Sequence, residues 1–226
     1  FSQMDAYSEG YAGIGVWRAA FKPFVDRIAD NDIRLQWFCC DRSTGVDTED
    51  KDGKPIRVTL LRDTETPASV EYQAVKFIGT GRENIQAGTF SGWELGDYIY
   101  MRSEEAYLIK IEALAHKNSP DAVTELENFM KTRQPDYDYT FTNKADLIEE
   151  IIYQKRVEFW GEGLEYIDNR RLNIPVDRTD ETWGAENNNH FSAAKFRYNQ
   201  EERPFLYQLP ISEIENNSQI SPSDQN

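Results

Sequence analysis

Histidine and cysteine are scarce in this chain, two of each in 226 residues. The cysteines are neighbours, Cys39 and Cys40. Adjacent residues of an extended segment point to opposite faces, so a bridge between them would be strained and no disulfide framework can be built. They read as small apolar fillers, and they leave the redox compartment open. The histidines, His116 and His190, lie far apart, and neither has a second His or Cys at ligand spacing. A zinc-type site is therefore unsupported. Positive charge is short as well: 25 Lys and Arg face 40 Asp and Glu, a formal net charge of −15, with no Lys/Arg run. Nucleic acid and anionic membrane surfaces require a basic footprint, so neither is expected as a partner. No stretch approaches the roughly 18 apolar residues of a spanning helix. The chain opens at Phe1 without a signal peptide or initiating Met, as a mature or truncated chain would.

Catalytic signatures are missing too. There is no Gly-x-Ser-x-Gly elbow, and GTGREN (79–84) lacks the Gly-Lys-Ser/Thr end of a phosphate loop. DTEDKDG (47–53) alternates acids somewhat like a calcium loop, but no Glu closes it at the twelfth position, and it reads as a solvated acidic turn. No cofactor or metal is expected.

What the chain does have is length enough for a real core in one or two domains, and aromatics: 12 Phe, 12 Tyr and 5 Trp. Residues 1–96 read as loop-rich. A helix is expected in VWRAAFKPFVDRIAD, broken or started near Pro23. LQWFCC is a short buried strand or helix end, and 41–66 a polar loop with the turn signal DKDGKP. EYQAVKFIG alternates weakly as a strand would, and 79–96 holds five glycines without periodicity, a long loop.

From Asp97 to residue 172 the pattern is helical. Leu108, Ile111 and Ala115 share one face, and Asn118 ends the run. Ser119 and Pro120 then start a second helix whose stripe is Ala122, Val123, Leu126, Phe129 and Met130. This hairpin, over 99–131, has the ~34-residue size of a tetratricopeptide unit, which needs neighbours to bury both faces. Asn143 can cap a third helix with Leu147, Ile148, Ile151, Ile152 and Lys155 inward. It should falter at Gly161 or Gly163, with a short helical piece following to Arg171. Residues 173–226 are a polar excursion and tail.

The junction QKRVEFWGEGLEYIDNRR (154–171) admits two readings. Glu158 and Glu162, four apart, could share a helix face and serve as paired acids of a glycoside hydrolase. Alternatively Glu158 pairs with Arg156 or Arg171, Asp168 with Arg171, and the glycines turn the backbone between two helices. Acid–base work also needs a groove and divergent pKa environments, and the sequence displays neither. The structural reading is preferred.

The order of RSEEAYLIKIEA (102–113), KRVEFWGEG (155–163), Asp168 with Arg171, and QLPISEIENN (208–217) resembles the C-terminal region of the SusD/RagB family. NDIR (31–34), VKF (75–77) and the closing Gln225-Asn226 agree, whereas Ile111, Glu165 and Asn169 depart from the family's usual residues. The resemblance implies a mainly α fold, with tetratricopeptide-like helical hairpins, long irregular loops and few short strands. It also implies that a tetratricopeptide-rich N-terminal half with a lipidated cysteine precedes this portion in the longer protein. The implied activity is non-catalytic capture of an oligo- or polysaccharide at the outer-membrane surface, for delivery to a SusC-like TonB-dependent transporter. The lipid anchor would be the only membrane attachment. Peptide capture, or a scaffold that binds only protein, are the alternatives.

Sugar rings present apolar faces that an exposed aromatic flanked by polar groups can hold. Trp93 in SGWELGD, Trp183 in TWGAENNN with Asn187, Asn188 and Asn189 beside it, and Trp17 with Tyr11 in YAGIGVW are the candidate contacts. Trp37 and Trp160 read as core or junction residues.

Overall fold

A computed structural model describes residues 20–39, 45–49, 55–59, 73–74, 76, 100–202 and 209–224. The chain divides into two compact units, Phe1–Gly161 and Glu162–Asn226.

In the first unit a one-turn helix α1 (Lys22–Asp26) carries Pro23 in its first turn, where the missing N–H costs nothing. A 3₁₀ turn (Ile33–Trp37) runs into strand β1 (Phe38–Cys39), which pairs with β4 (Gln73–Ala74). Between them lies a hairpin, β2 (Gly45–Glu49) with β3 (Pro55–Thr59), antiparallel and in register from Gly45↔Thr59 to Glu49↔Pro55. The segment expected as a polar loop therefore holds two strands flanking the DKDGK turn signal. Asp47, Thr48 and Glu49 of the calcium-like stretch belong to β2.

Helix α2 (Ser103–His116) and helix α3 (Asp121–Lys131) form the expected hairpin. Asn118 adopts a left-handed φ of 56°. Ser119 N–H reaches Leu114 O at 2.9 Å and Asn118 N–H reaches Ala115 O at 3.0 Å, so α2 closes in a Schellman motif with Asn where Gly is commonest. The Ser119 hydroxyl then accepts from Asp121 N–H at the start of α3. Leu108, Ile111, Ala122, Leu126 and Met130 are buried between the helices and their neighbours, at roughly 1.5–3 kcal/mol for each large side chain.

Helix α4 (Lys144–Glu158) supplies the required neighbour, packing on α2. Asn143 caps it, its side-chain oxygen accepting from Ala145 and Asp146 N–H at 2.8 and 3.1 Å. Its inward stripe is buried as expected at Leu147, Ile151, Ile152 and Lys155, with Ile148 half-buried, but Glu150, Tyr153, Gln154, Val157 and Glu158 are buried too. The helix is enclosed on more sides than one stripe predicts, because a second core covers it. That core gathers Ala20, Val25, Ile28, Phe38, Tyr153 and Val157, with Phe24, Leu35, Trp37 and Trp160 against it. Phe38 meets the Trp160 ring edge-on at 5.5 Å. Trp37 and Trp160 are thus half-buried residues packed against this core.

The second unit begins after the glycine junction. Gly161 and Gly163 both have positive φ, 77° and 87°, where a side chain would be strained. Helix α5 (Leu164–Arg171) ends in another Asn-centred Schellman motif at Asn173, followed by Pro175. Strand β5 (Val176–Asp177) pairs antiparallel with β6 (Arg197–Tyr198) across an irregular loop holding helix α6 (Asp180–Trp183). A short helix α7 (Ile211–Asn216) lies in the tail. The described fold is mainly helical with few short strands. No helix among the described residues is long and apolar enough to cross a membrane.

Candidate functional site

Glu158 is 2% exposed at the C-terminal end of α4. Its Oε1 accepts from Arg102 at 2.9 Å and Arg133 at 3.2 Å, and its Oε2 from Arg133 at 3.3 Å and Arg34 at 3.5 Å. Its backbone carbonyl takes Lys76 Nζ at 2.5 Å and Arg102 at 2.8 Å, cations placed at the negative end of the helix. The sequence suggested near neighbours as partners for Glu158. The arginines that hold it stand 124, 56 and 25 residues away, a separation no local spacing rule can reach.

Arg34 is itself buried at 1% exposure. Its guanidinium is forked on Asp32, at 3.0 and 2.6 Å, and donates to Gln154 Oε1 at 2.5 Å. Gln154 passes the network to Glu150, which accepts from Tyr137 and pairs with Arg27. Glu104 adds a carboxylate beside Arg102 and Arg133. Around Glu158, Arg34, Arg102 and Arg133 face Asp32, Glu104 and Glu158, and Lys76 adds a fourth cation at the backbone carbonyl.

Burial alone would raise the Glu158 carboxyl pKa. The hydrogen bonds and charge of Arg133, with Arg102 and Arg34, outweigh it and hold the group below the ordinary carboxylate value. A general acid needs the opposite shift. Asp32, Arg34, Lys76, Arg102 and Glu158, drawn from NDIR, VKF, RSEEA and KRVEF, therefore meet in one buried staple. Glu112 of the IKIEA stretch makes a second such pair with Lys155, at 3.1 Å. Asp168 and Arg171 pair at 2.7 Å as their spacing predicts.

Two exposed aromatics of the second unit, Trp183 and Phe191, lie in its loop. Asp177, the last residue of β5, organises it. One carboxylate oxygen accepts Thr179 N–H at 3.0 Å and the Thr179 hydroxyl at 2.7 Å. The other accepts the Thr182 hydroxyl at 2.7 Å and Arg197 at 3.0 Å. Desolvation opposes ionisation here, and the Thr179 N–H, the Thr182 and Thr179 hydroxyls and Arg197 overcome it, so this carboxyl too is held low.

Trp183 is 38% exposed, and its indole N–H donates to the Asp177 carbonyl at 2.9 Å. The polar edge of the ring is thereby anchored. Gly184 follows at φ 78° and ψ 136°, a conformation favouring glycine, and a Cβ there would lie 2.7 Å from Glu186 Oε1. Asn188 is buried; its amide donates to Arg178 O at 3.0 Å and Asp180 Oδ1 at 2.8 Å, and its oxygen accepts His190 N–H at 3.2 Å. Lys195 pairs with both Asp180 oxygens, at 2.7 and 2.9 Å. His190 is held neutral to lower pH, by burial first and then by the charges of Arg178 and Lys195. Phe191, next along, is 75% exposed.

Of the sequence candidates, Trp183 and Asn188 thus stand on one hydrogen-bonded loop. Tyr11, Trp17 and Trp93 lie outside the described residues. Sequence reading passed over Asp177, although Asp-x-Thr-x-x-Thr (177–182) is the spacing at which hydroxyls and a backbone N–H return to one carboxylate. Among the described residues, no group of His, Cys, Asp or Glu is placed to hold a metal ion.

Comparison with known proteins places these features in a wider set. No curated protein matches the chain. Among solved structures, a SusD-like carbohydrate binding protein from Bacteroides vulgatus ATCC 8482 is similar with a TM-score of 0.49 and 21% sequence identity, over 89% of this chain and 40% of that one. The chain thus spans well under half the length of that relative. The model of the SusD family matches residues 21–226, from the start of the described core through both units, and the chain accordingly belongs to the SusD family.

Proposed function

We propose that this chain takes part in non-catalytic capture of an oligo- or polysaccharide at the outer-membrane surface, and in its delivery to a SusC-like TonB-dependent transporter. In the full-length protein an N-terminal lipid would supply the membrane anchor. The observation that carries the reading is Trp183. It is a large apolar ring in a polar loop, partly open to solvent, with its N–H already satisfied by Asp177 O. A ring anchored at its polar edge keeps a face for the C–H surface of a sugar and loses little freedom when it binds. Asn188 serves by holding the loop, since its amide is engaged on Arg178 and Asp180. Trp93, and Trp17 with Tyr11, are proposed as further contacts. Membership of a family of binding proteins supports a reading without catalysis, and the depressed Glu158 carboxyl is unsuited to protonate a leaving group.

Affinity electrophoresis through gels cast with a panel of polysaccharides tests this. One glycan should retard the chain, and Trp183→Ala should weaken that retention by about tenfold or more, as loss of a central aromatic anchor does. Retention of the variant equal to the parent would remove Trp183 from the site. Absence of retention on every gel, with a cooperative melt, would overturn glycan capture by this chain, and basic peptides would be tried next.

A further inference from the structure

We infer that the sugar chain held at the Trp183 loop is uncharged, and that Glu181 and Glu186 exclude uronic-acid and sulfated glycans from it. The inference rests on the capture reading above and adds the ligand's charge class.

Between Val176 and Tyr198 the chain carries three cations, Arg178, Lys195 and Arg197, and four carboxylates, Asp177, Asp180, Glu181 and Glu186. Two of the cations are spent inside the loop. Lys195 lies on Asp180 at 2.7 Å and Arg197 on Asp177 at 3.0 Å. Arg178 places its guanidinium over the Phe196 ring, 5.0 Å from the centroid, and its backbone carbonyl is taken by Asn188. His190, the remaining basic group, stays neutral at physiological pH for the reasons given above.

With three cations against four carboxylates and His190 neutral, the loop that carries the tryptophan is negative in sum. Glu181 and Glu186 are both exposed. Glu181 stands two residues before Trp183 in α6, off that residue's face, and adds its charge to the loop as a whole, while the Glu186 carboxylate reaches back over Gly184, next to Trp183, where it would meet any added Cβ at 2.7 Å. Asn187 donates to it at 3.3 Å, which orients the carboxylate without cancelling its charge. The whole chain, at −15, adds a field of the same sign. A polymer with a carboxylate or sulfate on each repeat meets these charges whichever sugar rests on the ring, whereas a neutral hydroxyl can be accepted by either glutamate.

The test uses the 226-residue chain and pairs of polymers that differ only in charge. Each neutral polysaccharide that the chain retains is compared with its carboxymethylated form, and with its hydroxyethylated form as a control for bulk, by calorimetric titration. The carboxymethylated form should bind at least about fivefold more weakly than the hydroxyethylated one at ~0.01 M salt, and the gap should narrow at ~0.15 M as screening shortens. The double variant Glu181→Lys with Glu186→Lys, checked for an unchanged melt, should close or reverse it. Binding of the charged form as tight as the neutral one, or tighter and lost in Arg178→Gln, would overturn the inference and leave capture standing. A gap unmoved by salt and by the double variant would also overturn it, since bulk would then be the cause. Failure of every polymer in the panel, charged and neutral, would overturn the capture reading itself.

Discussion

Glu158 and Asp177 are both carboxylates held below their ordinary pKa, one in each unit, yet their partners come from opposite distances along the chain. Arginines 25, 56 and 124 residues away close on Glu158. Asp177 gathers groups two, five and 20 residues ahead of it, on Thr179, Thr182 and Arg197. The first arrangement exists only when α1's neighbourhood, α2, α3 and α4 have all assembled, so it reports on the whole helical unit. The second is complete within one loop, and its product is the posture of a single exposed tryptophan. Similar chemistry thus serves cohesion in one place and presentation in the other. The family markers NDIR, VKF, RSEEA and KRVEF supply the first, whereas Asp168 with Arg171 and QLPISEIENN lie in the second unit outside the loop.

The contrast is most severely tested at Glu158. Replacing it with Ala leaves three guanidiniums facing one another in a buried site, and breaking a buried pair from one side costs about 3–5 kcal/mol. Denaturant unfolding of Glu158→Ala should register that loss, a large share of a typical domain's ~5–15 kcal/mol. A loss below about 1 kcal/mol would mean that the network does not hold the unit together. Acid should act through the same group. Its folded-state pKa lies below the unfolded one, so its contribution is complete above the ordinary carboxylate value of ~4.3 and disappears as pH falls through the folded value. Melting temperature followed downward from about pH 6 should therefore drop steeply below ~4.3, and Glu158→Gln should flatten the drop.

Smaller effects belong to the loop and the caps. Gly184→Ala forces a side chain into a left-handed φ and against the Glu186 carboxylate. It should destabilise by about 1–3 kcal/mol, and glycan retention should fall with it while the near-ultraviolet signature of the helical unit stays unchanged. Asn143→Ala removes both side-chain bonds at the start of α4, at about 1 kcal/mol, and should leave glycan retention unaltered. If Gly184→Ala and Asn143→Ala shifted retention alike, the division between cohesion and presentation would fail.

Much of the helical part was legible before any coordinates. The apolar repeats of α2 and α3, the Asn118 stop, the Asn143 cap and the glycine junction act within a few residues of themselves, so local rules find them. The β2–β3 hairpin was overlooked although its signals are present. Val46 stands opposite Val58 and Thr48 opposite Ile56 in the pairing, an alternation on either side of a turn signal, masked by the acidic residues between. For the site, Trp183 stood out as an aromatic in a polar loop. Asn188, expected near sugar hydroxyls, has its amide nitrogen on Arg178 and Asp180; which groups an amide engages depends on neighbours up to ten residues off.

By itself, the sequence determined where the long helices α2, α3 and α4 lie, though not the short α6 and α7, that the chain would be strongly acidic, and which residues mark its family. These follow from propensity, periodicity and composition, which act at short range or in sum. Tertiary structure alone decided that Asp32, Arg34, Lys76, Arg102, Arg133 and Glu158 meet in one place, and which of them touch. Ion pairing falls off within a few ångströms, and sequence separation says nothing about which charges will come that close once the helices pack.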